Sequence, residues 1–296
     1  MTLANASIGI VPIVFANDDV PELSPPISPE TLLDELARLC FSGSQLSRAL
    51  PPVDVMRSRG IRIAEVYAAL PCTSSGPTSE ARTLALDRLE SLQRTDGDVL
   101  VFSYHLSEER VGLAGRAAQS GAPSLTPEGR KRAVELVEEI ASATDKLGRP
   151  LVYHPHVGTF VETPAEVEWL MESTDPYLVG LCLDVGHYIV GGGDPVAAVR
   201  RYGRRIRHVH MKDVDRVVLQ QLQTGKLGGF LDALRAGIFT ELGSGVLDVL
   251  RVLEELSSLN YSGWLMCEQD TTHRPPSESA AISLAVLRYA IRLVDR

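Results

Sequence analysis

Three short apolar runs between Leu151 and Asp213 each stop on groups that can hold a cation or move a proton: LVYHPHVGT, GLCLDVGH and RIRHVHMKD. A fourth run, WLMCEQD, stops on Glu268. Five of the seven histidines fall in the first three runs: His154, His156, His187, His208 and His210. His, Asp, His and Glu delivered by successive strands form the donor mixture of a divalent-metal site. Asp184 and Glu268 would repel each other in a low-dielectric mouth unless a cation or cationic groups compensated them. Mixed imidazole and carboxylate ligation suits manganese or cobalt, with zinc or magnesium also compatible. Each residue alone has a plainer reading. A strand-end histidine is commonly a hydrogen-bonded structural group, and His208, one layer deeper than His210, keeps that reading. Asp184 stands where a helix cap would stand, Glu268 could close its strand in solvent, and Lys212-Asp213 could be a surface ion pair. These readings weaken together, because several such residues end consecutive apolar strands.

That delivery requires a frame. Apolar runs at 8–15, 41–47, 61–70, 98–103, 150–153, 178–184, 206–211 and 264–268 read as strands. Between them lie amphipathic segments with clear starts: Ser28-Pro29-Glu30, Thr126-Pro127-Glu128 and the capping box Thr163-Pro164-Ala165-Glu166. Residues 106–125 read as a long loop and 219–240 as an insertion with a short helix. Strand and helix alternate with no linker or break in composition, which predicts right-handed βαβ units and a parallel sheet. Eight units in 296 residues close most simply into a single α/β domain over residues 1–296, a (β/α)8 TIM barrel. An open doubly wound sheet is the alternative, but IGIVPIVFAND has no glycine-rich phosphate turn. In a barrel, chemistry collects at the C-terminal strand ends, where His105, His154, His156, Asp184, His187, His210, Lys212, Asp213 and Glu268 all fall.

A net charge of -9 argues against a nucleic-acid or anionic-membrane partner, since both need a basic footprint. No segment approaches the roughly 18 consecutive apolar residues of a membrane span. The start of the chain carries no basic leader, so a cytoplasmic protein is expected. Of the four scattered cysteines, Cys40, Cys182 and Cys267 sit in apolar runs and are expected to be buried reduced thiols. No interface pattern is legible, and a homo-oligomer stays open.

The strand-end motifs also resemble a known family. The chain is similar to the xylose-isomerase-like barrel superfamily and, within it, to inosose dehydratases (2-keto-myo-inositol dehydratases). GIVPIVFANDDVPEL, YHPHVGTFVET, LCLDVGHYIVGGGDP, RYGRRIRHVHMKDV, GIFTELGSGVLD and GWLMCEQD carry the resemblance in order over nearly the whole chain. It implies four metal ligands. Asp184 matches the aspartate of LDxGH, His210 the second histidine of HVHxKD, and Glu268 the glutamate of the last strand. His154 occupies the strand-five position, a glutamate in most of the superfamily and a histidine in inosose dehydratases; an alignment shifted by two residues puts His156 there instead. His187 and Lys212 would reach substrate oxygens beside the metal. The chain departs from the family at Ile13-Val14, usually Gly-Trp, at Gln45, usually glutamate, and at Ser103-Tyr104-His105, where a Glu-Gln-type end is usual. These departures bear on the substrate more than on the fold or the metal.

The chemistry shared by such sites is removal of a proton next to a carbonyl polarised by a Lewis acid. Glu268 is expected as ligand and base, and His187 or His156 as proton donor at a leaving hydroxyl. The expected substrate is a small polyhydroxylated ketone. Loss of water makes the protein a metal-dependent lyase of a keto-cyclitol. Return of the proton makes it a sugar or sugar-phosphate isomerase or epimerase acting through an enediolate. A barrel with a decayed site, serving as a binding protein, is the reading from another class. A zinc endonuclease on this barrel is disfavoured by the acidic chain.

Overall fold

The computed structural model describes residues 2–296 apart from Asp18, Pro25 and Ser120. Asp18, part of the Asn-Asp-Asp stretch of the first resemblance motif, thus lies outside the described residues. Eight parallel strands form a closed barrel: β1 (Ser7–Ile10), β2 (Gly43–Gln45), β3 (Arg62–Leu70), β4 (Val99–Tyr104), β5 (Leu151–Tyr153), β6 (Val179–Asp184), β7 (Ile206–Met211) and β8 (Trp264–Cys267). Each pairs with its sequence neighbour, and β1 closes on β8 through Ile8 opposite Leu265. The expected (β/α)8 topology is therefore the one found, and the open sheet is excluded by the β1–β8 ladder.

Helices α1 (Pro29–Arg38), α2 (Val53–Ser58), α3 (Ser79–Thr95), α4 (Pro127–Asp145), α5 (Pro164–Ser173), α6 (Val185–Val190), α7 (Pro195–Tyr202), α8 (Arg216–Gln223), α9 (Phe230–Arg235), α10 (Val249–Ser258) and α11 (Pro276–Val294) cover the barrel or its rim. Their starts follow the sequence signals. Ser28 accepts from the N–H of Thr31, Thr126 from Gly129, and Thr163 and Glu166 form the reciprocal capping box. In α10, Val249, Val252, Leu253 and Leu256 fall one helical turn apart and are buried against the barrel. Each side chain so buried contributes about 1.5–3 kcal/mol.

Three apolar clusters divide the work. One fills the space between barrel and helices. A second fills the lower barrel interior with Ala64, Val99, Val101, Val152, Cys182, Trp264 and Met266. The third packs Val157, Val190, Val214, Phe230 and Phe239 beneath the insertion, which holds α8, α9 and the strand pair Asp213–Val214 and Phe239–Thr240.

Two breaks in the ladders matter for function. Ser44 pairs with Ile63 but Gln45 with Glu65, so Ala64 and Glu65 form a bulge in β3. Leu181 pairs with Ile206 but Cys182 with His208, which bulges β7 at Arg207. A bulge re-aims side chains that strict alternation would send to the other face. Two sequence expectations change. The first strand ends at Ile10, and Pro12–Val14 forms a single 3-10 turn. Cys40 is exposed rather than buried and takes a left-handed conformation (φ 60°) where the chain turns out of α1. Cys182 and Cys267 are buried, and all four thiols are free.

Candidate functional site

Ladder register brings the strand ends together. Asp184 pairs with His210 across β6 and β7, and His210 with Met266 of β8. His154 and Glu268 follow directly on β5 and β8, held by N–H bonds to the carbonyls of Phe102 (2.7 Å) and Met211 (3.2 Å). One donor atom from each of His154, Asp184, His210 and Glu268 falls within 4.8 Å of the others. Asp184 Oδ2 lies 3.3 Å from His154 Nε2 and 3.7 Å from His210 Nδ1. His210 Nδ1 lies at ion-pair distance, 2.6 Å, from Glu268 Oε2, and neither atom has hydrogen-bond geometry to any partner. Buried and adjacent, these two donors could share a common partner, and the mixed set fits a divalent cation. His154 stands in this group and His156 does not.

Asp184 answers the choice between cap and ligand by doing both. Its Oδ1 accepts the N–H of His187 (2.8 Å) as N-cap of α6, which leaves Oδ2 for the cluster. Gly186 follows because Lys212 crosses there: a Cβ at Gly186 would sit 2.7 Å from Lys212 Cγ and 2.9 Å from its carbonyl oxygen.

Lys212 is buried behind the cluster and is no surface ion pair. Its Nζ contacts Asp270 (2.7 Å), Glu268 Oε1 (3.1 Å) and Asp184 Oδ2 (3.3 Å), donates toward His187 Nε2 (3.1 Å) and lies 4.5 Å from the centre of the Phe239 ring. Burial opposes charge on Lys212, but Asp184, Asp270 and Glu268 outweigh it and hold the ammonium well above its ordinary value. Burial likewise opposes ionisation of Asp184, and Lys212 and His187 reverse it, holding the carboxylate well below its ordinary value. Asp213 turns away from the cluster. Its two oxygens accept the N–H groups of Val214, Gly243, Gly245 and Leu247, which shapes the loop before α10.

A cavity of about 490 Å³ opens above the cluster. His154, His156, His210, Glu268 and Asp270 line one side, and Ile13, Asp19, Gln45, Tyr67, Tyr104 and His105 line the other. Lys212 and His187 are buried, are not among the residues lining it, and meet the cluster from behind. His156 stacks on His187 with ring centres 3.7 Å apart, and its Nδ1–H donates to the Val157 carbonyl (2.8 Å). That bond leaves Nε2 as an acceptor. Burial first, then His154 and Lys212, push the His156 pKa down to about 3. His187 is pushed well below its ordinary value by burial, His156 and Lys212. With Nδ1–H committed to Val157, His156 offers Nε2 to the cavity as an acceptor.

Three site residues escaped the sequence reading: Glu65, Tyr67 and Asp270. Glu65 comes from the far side of the barrel, where its Oε2 accepts from His208 Nε2 (2.5 Å) and His210 Nε2 (2.9 Å). A charged residue inside RIAEVYAAL was the available signal, masked by the bulge. Asp270 is the last residue of WLMCEQD, two beyond Glu268, and burial, with Glu268 adding to it against Lys212, pushes its pKa up to about 7.

The family model of xylose isomerase-like TIM barrels matches residues 52–290. Inosose dehydratase of Clostridium tetani is 32% identical over 282 residues, which span 92% of this chain and 93% of that protein. The chain belongs to the inosose dehydratase family of xylose isomerase-like TIM barrels. As a member of this family it is an enzyme. Among solved structures, the probable 3-DHS dehydratase AsbF of Bacillus anthracis covers 95% of this chain and 98% of its own, with a TM-score of 0.70 and 13% identity. L-ribulose 3-epimerase covers 98% and 95%, with a TM-score of 0.71 and 14% identity. At such identity these two share the fold. Family membership accounts for the order of the strand-end motifs, and the chain's own geometry assigns each side chain its surroundings.

Proposed function

We propose that this enzyme is a metal-dependent dehydratase of a neutral keto-cyclitol of the inosose type. His154, Asp184, His210 and Glu268 would hold the metal. The observation that carries the reading is the convergence of one donor atom from each of these four residues within 4.8 Å, with His210 Nδ1 and Glu268 Oε2 in ion-pair contact at 2.6 Å. A divalent ion bound there supplies Lewis acidity toward the substrate carbonyl.

The chain's own groups account for the remainder. Lys212 fixes Glu268 Oε1 and Asp184 Oδ2 from behind, so both carboxylates present a set oxygen to the cluster. His156 has a free acceptor nitrogen on a ring that lines the cavity, and it takes the proton from the carbon beside the carbonyl. Once protonated, the same ring is the donor for the departing hydroxyl. No lysine or arginine is among the described residues lining the cavity, which favours an uncharged polyol ketone over a sugar phosphate. The cavity volume lies in the range of about 300–1,000 Å³ usual for small-molecule sites. The inosose dehydratase relatives support loss of water over return of the proton.

Metal analysis of the purified protein, with proton NMR of an inosose in deuterated buffer, tests this. The expected result is one bound divalent ion, water loss and an unsaturated product. Exchange of the proton next to the carbonyl without loss of water would replace the dehydratase reading by an epimerase or isomerase. Full turnover after chelation would end the metal reading.

A further inference from the structure

We propose that Glu65 is a positioning residue that fixes the tautomer of His210 and thereby sets the affinity of the metal site. The proposal rests on the reading of His210 as a ligand. A histidine binds a metal through whichever nitrogen lacks a proton, and the hydrogen bond made by the other nitrogen decides which that is. His210 Nε2 lies 2.9 Å from Glu65 Oε2, whereas Nδ1 faces Asp184 and Glu268. A carboxylate at Nε2 accepts the proton there and turns the Nδ1 lone pair toward the cluster. It also makes the imidazole a stronger donor, as carboxylate–histidine pairs behind metals do.

The arrangement is specific to the shape of this barrel. Glu65 is fully buried, and alternation along β3 from Ile63, which packs in the outer layer, would send it outward. The bulge at Ala64–Glu65 turns it inward. His208, on the same face of β7 one layer below His210, bonds the same oxygen and holds the carboxylate in place. A buried carboxylate would be costly here without these two partners. His208 therefore acts through Glu65.

Two measurements test the proposal. In zinc-loaded wild-type protein, long-range ¹H–¹⁵N spectra of the histidine rings should show the His210 proton on Nε2; a proton on Nδ1 would overturn it. The second measurement is cobalt affinity, by competition with a chromophoric chelator, for wild type, Glu65→Gln and Asp184→Asn. Glu65→Gln keeps the side-chain volume and should lower cobalt affinity about 10- to 100-fold and shift the visible cobalt bands, with native circular dichroism retained. A purely structural Glu65 would lower the melting temperature and leave affinity and spectrum of the folded protein unchanged, which refutes positioning. Asp184→Asn separates the two levels. If it abolishes binding while Glu65→Gln binds normally, the metal reading stands and this proposal falls; if wild type binds no cobalt, both fall.

Discussion

The two halves of the barrel mouth are built differently. Strands β5 to β8 supply His154, Asp184, His210 and Glu268, backed by Lys212 and Asp270, all within one buried network. Strands β1 to β4 and their loops supply Ile13, Asp19, Gln45, Tyr67, Tyr104 and His105, which line the cavity without joining that cluster. Apart from Glu65 of β3, whose carboxylate reaches across the barrel to His210, one half holds charge in place and the other shapes the space in front of it. The positions expected from the sequence to depart from the inosose dehydratase pattern, Ile13-Val14, Gln45 and Ser103-Tyr104-His105, fall in the second half. Changes there should alter what the site accepts while leaving its donor set intact.

Substitutions can break this division, and the largest effect belongs to the first half. Asp184→Asn should abolish metal binding and lower kcat/KM by roughly a thousandfold or more, because a Lewis acid supplies several kcal/mol. Metal content and turnover, with circular dichroism to confirm the barrel, check this. Near-normal turnover would deny any special role to that half. Lys212→Met comes next. It leaves Asp184, Glu268 and Asp270 buried without their shared cation, a loss of about 3–5 kcal/mol that urea denaturation would register. Added divalent metal should recover part of it.

On the opposite wall the effect should be smaller and of another kind. Gln45→Ala or Tyr67→Phe should raise KM about three- to tenfold, the value of one hydrogen bond, with kcat within about twofold. A kcat collapse with KM unchanged would erase the distinction between the halves. The smallest effect lies behind both, where Glu162 ties two loops by accepting the N–H groups of Gly115 and Gly158 (2.8 Å each). Burial pushes its pKa up to about 7 from an ordinary 4.5, against those N–H groups and Arg110. The folded state thus holds this proton more tightly than the unfolded chain. Stability should fall as pH rises from about 4.5 to about 7 and then level off. Melting temperatures from pH 5 to 8 should decline less in Glu162→Gln than in wild type; equal slopes would remove Glu162 as a cause.

Much of the chemistry was legible because it follows local rules. His154, Asp184, His210 and Glu268 each end an apolar run, and strand ends of a parallel barrel meet at one mouth. The capping signals at Ser28, Thr126 and Thr163 located helices for the same local reason. Glu65 was illegible because its direction depends on a bulge, and a bulge depends on how two strands pair. The short helix α6 was missed as well, since six residues with a buried Gly-His pair leave no amphipathic pattern.

The sequence by itself determined the alternation of strand and helix, the barrel it closes into and the residue types at each strand end. These rest on side-chain period, capping and burial, all of which act over a few neighbouring residues. Only the tertiary structure decided which nitrogen of His210 faces the cluster, that Lys212 and His187 stand behind it, and that His156 is left as an acceptor on the cavity wall. Those outcomes depend on ladder register and on hydrogen bonds between residues as many as 145 positions apart, which no local pattern encodes.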